Sequence, residues 1–150
     1  MTVLFIQSFL IGVVGAVVGA VVGLVLATVA RRSLGTWDAV ATIPLLLAAA
    51  GGHLFLIPVE VPMLQVLFGL YVAALIVVVI VGIAGISIWR LGAVLFPAGS
   101  IAAYFYFAVQ IQQVDYIGLG LKVVELAAIV SALVPVVILN RSARGRRMAA

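Results

Sequence analysis

The sequence predicts an all-α protein, a polytopic integral membrane bundle of five transmembrane helices in a single domain. Three observations predict it. Of 150 residues 67% are hydrophobic and only 8% charged, against about half and a quarter in soluble domains. The mean hydropathy is +1.47. The apolar residues fall into five runs separated by short polar links, each long enough to cross a hydrocarbon core of ~30 Å at ~1.5 Å per residue.

The first run covers residues 3–30 and halts at Arg31-Arg32. It would reach ~42 Å as a helix, so it is expected to tilt or project beyond the core. Met1-Thr2-Val3-Leu4 lacks a basic n-region, and the apolar run outlasts a signal-peptide core of roughly 7–15 residues, so it reads as a retained span. Gly15, Gly19 and Gly23 recur every fourth residue, with Gly12 one turn earlier. Such a ladder forms a groove that admits another backbone. It serves either this bundle or a face for a second copy or another subunit.

The second helix is expected over residues 37–57, with Thr36 as N-cap. The third covers 63–89, the fourth 91–112 and the fifth 116–139, followed by a basic tail, 140–150. Pro44, Pro97 and Pro135 lie about two turns from one end of their helices, and kinks there would splay the bundle at the other end.

Charge tests the helix count. With five spans, Arg31, Arg32, Arg90, Arg141, Arg144, Arg146 and Arg147 share one side, and Glu60 and Asp115 the other. The positive-inside rule makes the arginine side cytoplasmic, with the N-terminus outside. Trp37 and Trp89 beside the arginines suit an aromatic belt. The expected location is the cytoplasmic membrane of a bacterium or archaeon, with the lipid bilayer as the first partner. The net charge of +4 is explained by topology, so nucleic acid is not an expected partner.

Polar residues concentrate in the outer half. Glu125 comes ten residues after Asp115, hence ~15 Å along the helix and near mid-bilayer. A carboxylate costs at least ~2.5–3.5 kcal/mol there. Lys122, at i,i+3, is the expected partner, with His53, the only histidine, as the next. His53 is a packing residue, a proton-handling or solute-contacting group, or, with Met63, a contact for haem, quinone or a pigment. Otherwise no cofactor is expected. Tyr104 and Tyr106, in the run Tyr104-Phe105-Tyr106-Phe107, form an aromatic wall or interface anchors. Gly69–Leu75 aligns with Gly120–Leu126, and the same offset sets His53 against Tyr104, the pattern of a duplicated hairpin.

The absence of cysteine removes thiolate chemistry, Cys-ligated metals and disulfides. No catalytic set or metal-ligand cluster is legible, so catalysis is not the first expectation.

Ala50-Gly51-Gly52-His53-Leu54 through Pro58-Val59-Glu60, then Gly69, Asp115, Lys122 and Glu125, resembles small multi-helix membrane proteins of bacteria that share an outer HLxLxPE-like turn. That family has no agreed function. The resemblance implies the fold and the choice of His53, Glu60 and Glu125, but no activity. Pro58-Val59-Glu60-Val61 is also similar to the Pro-x-Glu-Glu/Asp signature of membrane lycopene cyclases, with Val61 replacing the second acid.

Three functions follow as expectations. The first is an accessory subunit of a larger membrane complex, such as one for respiratory or photosynthetic electron transfer, joined through the glycine face. The second is a small transporter or channel with a proton- or solute-binding outer cavity at His53, Lys122 and Glu125. The third is an isoprenoid- or lipid-acting enzyme with Glu60 or Glu125 as general acid.

Overall fold

A computed structural model describes residues 2–30, 34–112 and 115–148. The described chain is all-helical: α1 (Thr2–Ala30), a π-helical turn (Asp38–Thr42) leading into α2 (Ile43–Leu56), a 3-10 turn (Ile57–Val59), α3 (Pro62–Ile83), α4 (Trp89–Ile111) and α5 (Tyr116–Met148). All five helices are long and apolar enough to cross a membrane, α2 together with its flanking turns.

α2 is the central element, packed against α1, α3 and α5, while α4 packs against α3 and α5. Four helices thus close a ring, with α1 laid on its outside against α2. Ile43, Leu46, Leu75, Ala49, Ala93 and Ala128 are fully buried at the centre. The three alanines allow close helix approach, because a methyl group adds little width.

The glycine ladder is what holds α1 to α2. A Cβ on Gly15 would strike the Gly51 carbonyl and Phe55, one on Gly19 the Leu47 carbonyl, and one on Gly23 the Pro44 backbone, with Pro44 Cα at 2.6 Å. Gly12 faces side chains instead, with Ile117 Cγ2 at 3.1 Å and Leu56 beyond it. The ladder is therefore occupied within the bundle and is not a free face for a partner. What α1 turns outward is a surface of exposed valines, including Val14, Val17, Val21 and Val25.

Several expected boundaries move. α3 stops at Ile83 rather than at residue 89, because Gly85 adopts φ 75°. Gly85 N–H donates to Gly82 O and Ile86 N–H to Val81 O, the paired bonds of a Schellman motif. α4 accordingly begins at Trp89, two residues early. α5 continues to Met148, so the backbone of residues 140–148 is helix and not an irregular tail. Pro44 directly follows the π-helical turn inside one continuous helical run, 36–59, and Pro97 and Pro135 are internal to α4 and α5.

Asp115 starts α5. Its carboxylate accepts from Ile117 N–H at 3.1 Å and Gly118 N–H at 2.8 Å, satisfying donors that a helix N-terminus leaves open. The arginines at 31 and 32 lie outside the described residues, as do the side chains of those in 141–147.

Two tryptophans expected as one belt part company. Trp37 is exposed, but Trp89 is buried and packs against Gly82. Asp38 is buried and ion-paired with Arg90. Around that pair, Arg90 Nη1 donates to Ala132 O at 2.9 Å, and Thr42 Oγ1 donates to Asp38 at 3.2 Å. Thr42 and Ser131 hydroxyls share a bond at 2.9 Å. Pro135 has no N–H to offer the carbonyl four residues back, which is that of Ser131, and Trp37 Nε1–H donates to it at 2.9 Å. The cluster ties α2, α4 and α5 together at the Arg90 end of the bundle.

Candidate functional site

Toward the Glu60 end, the ring opens into a cavity of about 760 Å³ lined by α2–α5 and the turns at Glu60 and Asp115. α3 and α4 touch at their Arg90 ends, where Trp89 packs on Gly82 and Val78 on Gly92. Their opposite halves form facing walls of the cavity, with Leu64, Phe68 and Tyr71 on one side and Ser100, Tyr104 and Phe107 on the other. α2 and α5 close the back through Gly52, where an added Cβ would meet Leu121.

The floor is polar, and Glu125 organises it. Glu125 is 0% exposed and lies near the middle of the apolar span of α5, Tyr116–Pro135. Lys122 Nζ donates to its Oε1 at 2.9 Å and Oε2 at 2.8 Å. The i,i+3 spacing puts both side chains on one helix face. Lys122 Nζ also donates to Ser100 Oγ at 2.6 Å, and Ser100 Oγ–H donates to Glu125 Oε1 at 2.9 Å. An ammonium has three donors, and all three are engaged.

His53 enters from α2. Its Nδ1 lies 2.8 Å from Ala49 O, and since a carbonyl only accepts, Nδ1 carries the hydrogen. That leaves Nε2, 3.6 Å from Glu125 Oε1, as the position able to take or give a proton. Phe68 and Tyr71 pack edge-on against the ring at 4.9 and 4.7 Å. Its free nitrogen is thus turned to Glu125 while the ring also lines the cavity. Among the described residues there is no group of three or more His, Cys, Asp or Glu side chains able to hold a metal ion.

Tyr71 completes the floor. Its hydroxyl is buried next to Glu125 and Ser100 without a hydrogen bond of good geometry. Neither Tyr71 nor Ser100 stands out in the sequence as a site residue, since one tyrosine or serine in an apolar helix carries no spacing signal. The weak repeat contained a clue: its matched pairs, His53 with Tyr104 and Tyr71 with Lys122, all line this cavity.

The mouth carries acids. Glu60 and Asp115 both line it. Desolvation, and secondarily the neighbouring Asp115 charge, raise the Glu60 pKa above its ordinary value. Tyr104 O–H donates to Asp115 O at 2.6 Å, fixing the aromatic wall to the start of α5. Tyr106 is not part of the site: it is 63% exposed and lies off the lining. Of the sequence candidates, His53, Glu60, Tyr104 and Lys122 thus line one cavity, with Glu125 directly behind its floor, whereas Gly15, Gly19 and Gly23 belong to the α1–α2 contact and Gly12 faces Ile117 and Leu56.

Fold and site together define a helical bundle of membrane-spanning dimensions, sealed by a polar cluster at one end and hollow at the other. Comparison with protein-family models, curated proteins and solved structures returns no match, so the site is read from its own chemistry.

Proposed function

We propose that this protein is a small multi-pass membrane carrier or channel. Its cavity faces outward, its N-terminus is outside and its arginines are cytoplasmic. In this reading the cavity admits a small solute, and the His53–Glu125–Lys122 floor holds and moves a proton. One observation carries it: the buried Glu125 lies directly behind the floor of a 760 Å³ cavity, in contact with His53 and Lys122, which line it. Pockets of roughly 300–1,000 Å³ are typical of small-molecule sites, and intramembrane ionisable groups that line cavities commonly mark ion and substrate pathways. The resemblance to bacterial membrane proteins with an outer HLxLxPE-like turn is compatible with this reading.

The chemistry available is proton exchange rather than covalent catalysis. Glu125 is in contact with two nitrogen bases, Lys122 Nζ and His53 Nε2. A proton arriving on Nε2 makes the imidazole a second cation beside the carboxylate. It then competes with Lys122 for Glu125 and weakens the hold on Ser100. Solute occupancy and protonation are thereby linked through one carboxylate. A subunit role through α1 would have to use its exposed valine face, since the glycine face is covered by α2.

The test is flux. Purified protein in liposomes with a trapped pH dye, driven by a potassium diffusion potential, is expected to pass protons faster than empty liposomes. Glu125→Gln is expected to abolish that flux while retaining the helical spectrum. Flux equal to that of empty liposomes, or unchanged in folded Glu125→Gln, refutes the proposal.

A further inference from the structure

The cavity has a definite electrical sign. Among the described residues Lys122 is the one cation in its lining, and its three donors are all taken by Glu125 and Ser100. Its charge is cancelled by Glu125, and no N–H is left for an incoming anion. Among the described residues, neither of the two acids at the mouth, Glu60 and Asp115, has a cation within ion-pair distance. The opening is therefore acidic, and its low-dielectric walls focus the field.

The walls between mouth and floor suit the same sign. Phe68, Tyr71, Tyr104 and Phe107 line the cavity, and the face of an aromatic ring attracts cations. The Lys122 ammonium already lies 5.8 Å from the Tyr104 ring centroid.

From this we infer that the cavity selects a bulky apolar organic cation, an amine or quaternary centre carried on hydrocarbon, and rejects anions of the same shape. The acids at the mouth attract it, the rings hold it, and the cancelled Lys122–Glu125 pair does not repel it. This rests on the proposed cavity function and adds the ligand's charge.

Tetraphenylphosphonium and tetraphenylborate, alike in shape and opposite in charge, are the probes. Equilibrium dialysis against the detergent-solubilised protein, with protein-free micelles subtracted, measures each. Ala103→Trp, which places a large ring on the cavity wall, defines the site-specific part. The phosphonium is expected to bind saturably, about tenfold or more tighter than the borate, and Glu60→Lys is expected to weaken it about tenfold through like-charge repulsion. Glu60→Gln should fall between. Borate binding as tight as phosphonium, or phosphonium binding unmoved by Glu60→Lys, overturns the charge assignment while leaving the cavity as a binding site. If neither ion shows Ala103→Trp-sensitive binding the inference also fails, and the proton-flux assay then decides the broader function on its own.

Discussion

Removing Lys122 alone perturbs the site most sharply. Glu125 is fully buried and receives Lys122 on both oxygens, with only Ser100 donating besides. Lys122→Met keeps the length of the stem and deletes the ammonium. Breaking a buried pair from one side costs about 3–5 kcal/mol, because a charge is left uncompensated. Proton uptake sets a ceiling on that cost. Protonating a carboxyl of ordinary pKa, ~4.3, costs about 3.7 kcal/mol near pH 7 and about 1 kcal/mol near pH 5. The expected destabilisation is therefore about 3–4 kcal/mol at neutral pH. It shrinks on acidification, since the variant binds a proton that the wild type does not need. Lys122→Met combined with Glu125→Gln removes both charges and leaves an amide that Ser100 can still serve. That double variant should lie within about 1 kcal/mol of wild type. The double variant should then be more stable than Lys122→Met alone by about 2–3 kcal/mol. Unfolding in mixed micelles with increasing denaturing detergent, followed by circular dichroism at both pH values, measures it. The reasoning is refuted if the single variant is no less stable than the double one, or if its loss is unchanged by acid.

Two further outcomes follow from the geometry. Gly19→Ala should cost about 1–3 kcal/mol, read as a lowered melting temperature, because its Cβ meets the Leu47 backbone, which cannot rotate away. Gly120→Ala, with nothing within 4 Å, should gain up to about 1 kcal/mol from helix propensity in the same assay. For Glu60, burial and then Asp115 raise the folded-state pKa above its ordinary value. The folded protein thus holds that proton more tightly than the unfolded chain. This contribution is fully present below the ordinary carboxylate range and lost as pH rises through the raised value. Melting temperature across mildly acidic pH should show that slope in the wild type and a flatter one in Glu60→Gln; parallel curves would contradict it.

The Lys122–Glu125 contact was legible in the chain because i,i+3 neighbours on a helix meet whatever surrounds them. His53 could be proposed for the same site only by supposing that α2 and α5 touch, which they do at Gly52 and Leu121. Ser100 and Tyr71 were not legible, since their place depends on how α4 and α3 are rotated. Tyr104 and Tyr106 looked equivalent in sequence, yet one lines the cavity and the other faces away. In a soluble helix an apolar stripe would reveal that rotation. These helices are apolar nearly all round, so the stripe is missing.

By itself, then, the sequence determined the five runs long and apolar enough to cross a membrane and the charge buried in α5, which depend on local rise, length and hydropathy. The tertiary structure decided which surfaces were already taken. It covered the glycine ladder with α2, drew Asp38 and Arg90 together across 52 residues, and left a cavity with acids at its mouth. The physical reason is that packing fixes helix register and rotation through many short contacts between distant residues. A ladder of glycines states that a backbone can come close, but not whose.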